Sequence, residues 1–596
     1  MAAERVSTYL FNFADTIKWD AQYDVVVIGA GGAGVPAAAE ACDAGAKVLV
    51  VEKAPKGMEG GNARIAQQHL LIFRDYEDGV DYLKKCRLHC DLAMPDEAIE
   101  TYVRESMKFE EWWNGLGYTE YEVHDQTDFP LHGGKTAKVI YTEKPNTQRY
   151  WPCLRQLLLD RMDKIDVWYE SPADGLIQDP FTKTVLGVKV KTEGRIVNVR
   201  ALNGVVMALG GFEDSSEMLQ HYGNIPYPGD STGTQTGEGV RMGIEVGAKI
   251  ARMGAISGPY PVYTDPSNGR YNFHIIRTFV GDRYAAVLVG PDGTRFYDET
   301  TTLKHGDMYY HGQVRKLMWP DPAYAILDSS VLDKEIYNGW GDNNEVGIEN
   351  GWIKVGKTVE ELAEQIGCCA EGLKKTIETY NEGCAKGKDE EFGRTASLVP
   401  FSGKGYCAVL VTPGRYNTTG GPDRNMEGEV LATDGSVIPH LYGCGDLGGF
   451  GIGNYQAGYG LIEAWYSGRI AGINAAKPKA PVKQACVILY GEQSGIGGFT
   501  KSGEEEIKVE LGENEYYGKG AGMNSDIHAK VKYVDGKIEK IEIIAHKEDA
   551  PIGGVAFDKL IPAMLNANSP EVDAISQATL SSNGLIEAVK NALKDA

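Results

Sequence analysis

The segment from Asp24 to Val35 constrains this chain more than any other. Four apolar residues, Val25 to Ile28, run without a break into glycines at Gly29, Gly31 and Gly34. An apolar run of that kind, with no polar alternation, is a strand buried on both faces of a parallel sheet. The spacing of the glycines is that of a dinucleotide-binding turn. Gly29 permits the turn, Gly31 lets the backbone approach a pyrophosphate, and Gly34 lets the following helix pack on the strand. The helix expected over 35–44 then aims its first N–H groups at phosphate. A second apolar run, Val48 to Val51, ends at Glu52, placed to accept hydrogen bonds from a ribose. Strand, glycine turn, helix, strand and acid in that order predict a Rossmann-like βαβ unit.

Length and composition bound the rest. A chain of 596 residues predicts about three to five domains. The formal charge of -23, from 83 acidic against 60 basic residues, argues against nucleic acid or an anionic membrane as partner. None of the ten cysteines makes a C-x-x-C pair, so zinc, iron–sulfur and haem-attachment spacings are missing and no metal site is expected. Cys86 and Cys90 lie one helical turn apart and read as half-buried thiols. Residues 1–19 hold no apolar core and no twin arginine, and no run reaches the length of a membrane span, so the expected location is the cytoplasm.

Further along, the loop from Lys53 to Ala63 carries Gly60, Gly61 and Asn62 and is of a kind that wraps a flavin. Two amphipathic helices are expected over 78–116, a third over 149–162, and strands from 167 and from 185. Val205 to Leu209 is a buried strand ending in Gly210 and Gly211. A helix over 239–246, a strand at 285–289, helices at 358–366 and 371–381, and a strand at 406–412 follow. Lys477 to Pro481 and the glycines after it read as a linker. Beyond it, strands at 528–534 and 538–544 flank Asp535-Gly536 in a hairpin signal, followed by helices at 553–566 and 583–593.

Five blocks recur here in one order: the Gly29 turn, Gly60 to Asn62, Val205 to Gly211 with Phe212 and Glu213, Thr236 to Gly239, and Gly443 to Asp446. Together they resemble the fumarate reductase and succinate dehydrogenase flavoprotein superfamily, which includes urocanate reductase and 3-ketosteroid dehydrogenases. The resemblance spans roughly residues 22–475. It implies an α/β fold in which an FAD-binding domain, residues 22–250 and 399–475, is interrupted by an α+β capping domain at 251–398. It also implies that FAD is held by Gly29, Gly31, Gly34, Glu52, Lys53, Gly61, Asn62, Ala63, Ala208, Gly210, Glu238, Gly239, Asp446, Leu461 and Ile462.

After a linker at 476–497, residues 498–596 resemble FMN-binding domains. The run from Asp573 to Ser582 is similar to their attachment motif, in which a threonine carries FMN through a phosphoester, and Thr579 is the matching threonine. Gly518 to Gly522 and Glu548 to Gly553 resemble other blocks of that small α+β domain. One departure is Gln577, where the motif has glycine.

The polar groups with which fumarate reductases clamp a dicarboxylate are replaced. The block from Thr412 to Gly421 carries Asn417 in place of a histidine, and Tyr455 stands in place of an arginine. Proline or tyrosine fills Gly258 to Pro261, and beyond Arg295 to Glu299 the proton-donating arginine falls on Leu303. Fumarate is therefore not the expected substrate. A neutral or singly charged aromatic or alicyclic enone or enoate fits better. By resemblance to ketosteroid dehydrogenases, Tyr455 polarises a substrate carbonyl, with Asn417 beside it. Tyr416, Tyr260, Arg283 and Arg415 remain open as proton donors. Hydride is expected from N5 of FAD, with electrons arriving through FMN on Thr579 from an external donor, a protein or a reduced nicotinamide or flavin system. Two rivals stand beside this: a ketosteroid-type dehydrogenase working oxidatively, and a flavin electron carrier that reduces no substrate.

Overall fold

The computed structural model describes residues 7–87, 94–129, 132–144, 146–223, 231–258, 260–265, 270–272, 285–299, 307–310, 313–333, 344–415, 417–451, 456–480, 485–489, 509–548, 553–576 and 578–596. The chain divides into two compact units, one formed by 19–178 with 183–479 and the other by 1–18, 179–182 and 480–596.

In the larger unit the apolar run after Asp24 is strand β1 (Ala21–Ile28), followed by helix α1 (Gly34–Asp43) and strand β2 (Val48–Val51). A short helix, α2 (Gly61–Ile65), opens after the glycine pair. Strands β3 (Ile165–Trp168), β4 (Ala173–Gln178), β5 (Val185–Thr192) and β6 (Arg195–Met207) come next, then helix α3 (Glu238–Glu245). The chain leaves this layer for β7 (Tyr260–Asp265), β8 (Arg270–Asn272), β9 (Ala286–Val289), β10 (Ala323–Asp328), β11 (Ile353–Gly356) and β12 (Tyr406–Gly414). It returns as β13 (Glu429–Leu431), β14 (Val437–Gly443) and the long helix α4 (Tyr459–Ala476).

The first sheet has the order β13-β14-β6-β1-β2-β3. Its β14, β6, β1, β2 and β3 run parallel, while β4 and β5 form an antiparallel extension from β6. Every residue from Val25 to Ile28 and from Val48 to Val51 is buried, which explains the lack of polar alternation in the sequence. Helix α4 lies against α1 at a distance only glycine allows. A Cβ on Gly468 would stand 2.2 Å from the carbonyl oxygen of Ala33, and one on Gly472 would stand 2.2 Å from that of Ala37. The spacing of these glycines thus cuts a groove along one helix face.

The second sheet is antiparallel, in the order β8-β7-β12-β10-β9, with β11 also paired to β12. This corrects one expectation. The apolar strand at 406–412 does not re-enter the first sheet but is the shared partner of β7, β10 and β11 in the second. Apolar character marks a buried strand but says nothing about which neighbour it pairs with. Helices Val359–Ile366 and Ala370–Lys386 cover this sheet. A smaller antiparallel sheet joins His69–Phe73, Ala137–Tyr141 and Glu122–Asp125. The two helices expected over 78–116 are three, Tyr76–Arg87, Asp96–Ser106 and Phe109–Gly115. Cys90 lies outside the described residues.

The smaller unit is a meander of β15 (Glu515–Ala521), β16 (Asp526–Val534) and β17 (Lys537–Ala545) with helices α5 (Val555–Ala567) and α6 (Thr579–Leu593). Inward residues of β16 and β17, such as Ile527, Val531, Ile541 and Ile543, meet Phe557, Leu560 and Leu585 in one core. Helix α6 rests on the backbone of β15, because a Cβ on Gly518 or Gly520 would come within 2.0 or 2.1 Å of the carbonyl of Ala588 or Gly584. A second correction falls here. The stretch expected as a linker contains the strand Ala485–Leu489, paired antiparallel with Ser7–Phe11. The beginning of the chain therefore belongs to the same unit as its last hundred or so residues.

Candidate active site

The glycine turn after β1 is held by main-chain contacts. Gly29 has φ of 99° and Gly60 φ of 119°, both in the left-handed region open to glycine. A Cβ on Gly34 would fall 1.8 Å from the carbonyl oxygen of Gly29, whereas one on Gly31 would meet only the carbonyl of Gly60, at 3.5 Å. Gly34 is thus required by the protein itself, and Gly31 leaves a cradle open in front of the turn. Helix α1 begins at Ala33 with no side-chain cap, and α2, α3 and α4 begin at Gly60, Gly237 and Gly458, also without one. Other helices of this unit also lack a side-chain cap, so it is the open cradle at Gly31 in front of α1, rather than the missing cap, that suits a phosphate.

Glu52 is buried at the end of β2 and accepts from the N–H of Ala30 and of Ala54, both at 2.7 Å. Its carboxylate is thereby oriented, with lone pairs left for hydroxyls. Lys53 pairs with Glu238 at 2.7 Å and donates to Thr236 at 3.0 Å. Burial pushes the Glu238 carboxyl up, but Lys53 and Thr236 bring it below its ordinary range.

The centre of the site is a buried polar chain. Asn62 donates to Glu213, whose other oxygen accepts from the N–H of Thr418 at 3.2 Å and its hydroxyl at 2.9 Å. Thr418 Oγ1 in turn accepts from the N–H of Phe212 at 2.7 Å. Next along the strap, Asn417 Nδ2 donates to Asp446 at 3.2 Å. Gln235 donates to Asn62 at 3.3 Å and lies against Gly61 and Gly210. Burial, reinforced by Asp446, pushes the Glu213 carboxyl up to about 8. Burial and the nearby Glu463 push Asp446 up to about 7. Burial also raises Glu463, although Arg424 at 3.0 Å opposes the shift.

Residues 417 and 418 are also held by the segment at 256–258. The N–H of Ser257 donates to Asn417, Ile256 bridges Thr418, and a Cβ on Gly258 would be 2.7 Å from Arg415 Cδ. Arg415 is buried and donates to the carbonyls of Pro413 and Gly414 at 3.0 and 2.7 Å. On the other side, Gln456 is fully buried, accepting from the Tyr82 hydroxyl and from the N–H of Asp128, while Asp128 accepts from Ala457 N.

The expected flavin residues therefore converge: Gly29, Gly31, Gly34, Glu52, Gly61, Asn62, Ala63, Ala208 and Gly210 surround the ends of β1, β2 and β6, and Leu461 and Ile462 form the first turn of α4. Gly239, the residue after Glu238, packs on Leu447. Tyr455, Tyr416, Arg283 and Leu303 lie outside the described residues, and Tyr260 is described only as backbone, in β7. Glu213, Gln235, Thr418 and Glu463 were not expected as site residues. They sit next to glycine blocks, and only their burial marks them as more than loop polar groups.

Arg295 and Glu299 come together, but not as a relay. Arg295 grips Glu299 through two bonds of 2.8 and 2.7 Å and reaches Asp389 at 2.7 Å, while Arg394 pairs with Glu299 at 3.2 Å. All four are buried, forming a closed ion cluster under the second sheet.

A glycine cradle at an uncapped helix, an oriented acid at the second strand, and amides around a polar chain fit a flavin dinucleotide. The fold and this donor set define a flavin-dependent oxidoreductase. Residues 24–461 match the FAD binding domain family and residues 522–594 the FMN-binding domain family. The chain belongs to the FAD-binding flavoproteins of the fumarate reductase and succinate dehydrogenase superfamily, with a C-terminal FMN-binding domain, and is an oxidoreductase acting on CH–CH bonds. It is 29% identical over 475 residues to a probable fumarate reductase of Shewanella frigidimarina, covering 76% of this chain and 74% of that one. It is 26% identical over 500 residues to a vinyl phenol reductase of Lactiplantibacillus plantarum, covering 76% and 96%. A 3-ketosteroid delta1-dehydrogenase from Sterolibacterium denitrificans shares the fold at TM-score 0.63 with 22% identity, covering 76% and 99%. Among the described residues no helix is long and apolar enough to cross a membrane, and no group of acids, histidines and cysteines is arranged to hold a metal.

Proposed function

We propose that this protein reduces an activated C=C bond, an enone or enoate, in a neutral or singly charged aromatic or alicyclic molecule. The observation that carries this reading is how the buried guanidiniums are occupied. Of the five buried arginines described, Arg252 is held by Asp423, Arg295 and Arg394 by Glu299, and Arg424 by Glu463. Among the described residues, four of the five buried guanidiniums are therefore already matched by the protein's own charge. Where a histidine would charge the site, Asn417 offers a neutral amide already engaged with Asp446. The relationship to a vinyl phenol reductase, a protein named for a substrate without two carboxylates, supports the same conclusion.

When bound, FAD supplies the hydride equivalent at its N5. The chain's own residues do the rest. Tyr455 donates a hydrogen bond to the substrate carbonyl, as does Asn417, and so offsets the negative charge that develops there. A proton reaches the α-carbon from Tyr416, Tyr260, Arg283 or Arg415. Gln456, clamped by Tyr82 and Asp128, fixes the chain on the C-terminal side of Tyr455. Electrons enter from an external donor through FMN carried covalently on Thr579.

The test is a panel of enones, aryl acrylates and fumarate offered to the anaerobically reduced protein. Reoxidation by neutral or monoanionic acceptors, at least ten times faster than by fumarate, is expected. Fumarate as the fastest acceptor sinks the proposal. Thr579→Ala should leave no flavin fluorescence on the denatured chain.

A further inference from the structure

The smaller unit contains a buried carboxylate that the proposed chemistry does not use. Glu548, just past the end of β17, is 3% exposed. One of its oxygens accepts from the N–H groups of Asn524 at 2.7 Å and Ser525 at 3.2 Å. The other accepts from the N–H of Met523 at 3.1 Å and from the hydroxyl of Ser581. Four donors fill the lone-pair sites of a carboxylate, so Glu548 has no capacity left for a ligand. Two missing side chains make room for it. A Cβ on Gly522 would stand 2.6 Å from its Oε1, and one on Gly553 would stand 2.6 Å from its Cβ.

What the carboxylate joins is informative. The turn at 523–525 leads from β15 to β16, and Ser581 is in the first turn of α6, two residues after Thr579. Ser582, fully buried, accepts from the N–H of Ile575 at 3.1 Å and so fastens the approach to the helix. Its own N–H closes on the carbonyl of Ala578 at 2.9 Å. Ser581 and Ser582 are thus turned inward, while Thr579 is left exposed at the helix start.

Resting on the reading of Thr579 as the FMN-bearing residue, we propose that Glu548 is a positioning residue for that attachment. Its carboxylate ties the 523–525 turn to the start of α6 and presents the Thr579 hydroxyl, on an already folded surface, to a flavin-transferring enzyme. In the transfer, a bond forms between Thr579 Oγ and the phosphorus on the FMN side of a flavin dinucleotide. The pyrophosphate bond breaks, AMP leaves, and the hydroxyl proton goes to solvent, with no change in oxidation state. Glu548 touches none of the reacting atoms; it sets where one of them stands.

The experiment uses the full chain produced without a flavin transferase, then incubated with FAD, Mg²⁺ and a bacterial flavin transferase. Covalent fluorescence on denaturing gels gives the labelling rate, and thermal unfolding followed by circular dichroism gives the state of the fold. Glu548→Gln should label at least ten-fold more slowly than wild type. Ser581→Ala, which removes only the tie to the helix, should slow labelling about ten-fold with an unfolding midpoint near that of wild type, and Ser581→Thr should restore the rate. Labelling of a folded Glu548→Gln at the wild-type rate overturns the inference. If Glu548→Gln does not fold, a wild-type rate in Ser581→Ala overturns it instead. A wild-type chain that takes no label while a control FMN domain does so overturns the covalent reading itself, and this inference with it.

Discussion

Protonation of Glu213 gives the sharpest test of the polar chain at the site. With a pKa carried from 4.5 to about 8 in the folded protein, this group binds its proton more tightly folded than unfolded. Stability is therefore greatest below about pH 4.5 as far as this group is concerned, and is lost as pH rises through the window up to about 8. Each pH step in that window costs about 1.4 kcal/mol, so ionising Glu213 costs about 5 kcal/mol in all. Asp446, carried from 3.8 to about 7, acts in the same direction. The larger unit has roughly 460 residues, and at an unfolding entropy of about 2.1 cal/mol/K per residue it moves by about 1 °C per kcal/mol. Flavin-free wild type should thus lose about 4 °C more in unfolding midpoint between pH 5 and pH 8.5 than Glu213→Gln does, since part of the window lies below pH 5. The amide forfeits one hydrogen bond from Thr418 at both pH values, so the comparison lies in the slope rather than the absolute midpoint. Differential scanning calorimetry at a series of pH values reads it directly. Parallel pH curves for wild type and Glu213→Gln would show that the Asn62–Glu213–Thr418 chain does not carry the proton assigned to it.

Gly31→Ala meets no protein atom nearer than 3.5 Å, so it should keep the wild-type unfolding midpoint yet lose FAD, read as the ratio of flavin to protein absorbance after gel filtration. Gly34→Ala, with its Cβ 1.8 Å from a carbonyl oxygen, should lower both the midpoint and the flavin content. Arg295→Met leaves Glu299 and Asp389 buried without their shared cation and should destabilise the larger unit by about 3–5 kcal/mol, measured by urea denaturation. Tyr455→Phe should lower turnover with the best acceptor of the panel at least ten-fold with FAD retained; unchanged turnover removes Tyr455 from the mechanism.

Much of the molecule was legible in the chain because local spacing alone dictates it. Val25 to Ile28, the glycines at 29, 31 and 34, and Glu52 specify a βαβ turn wherever they occur, since strand burial, positive φ and close packing are demands made within about thirty residues. The hairpin across Asp535-Gly536 was equally local, and the strands either side of it form as expected. Pairing over long distances was not legible. Tyr406–Gly414 reads as an apolar strand in either sheet, and only tertiary structure places it between β7 and β10. Nothing in Ser7–Phe11 announces a partner at Ala485–Leu489.

The same division holds for the site. Residue type at fixed spacing predicted a dinucleotide site, and the resemblance of five blocks to a flavoprotein family implied FAD and a replaced dicarboxylate clamp. Which charges are spent on the protein and which remain was decided by the fold alone. Arg424 meets Glu463 across 39 positions, Arg295 meets Asp389 across 94, and Asn62 reaches Glu213 across 151. Such pairs depend on burial, where an unmatched charge is costly and a matched one is nearly silent, and burial is a property of the packed chain rather than of any stretch of it.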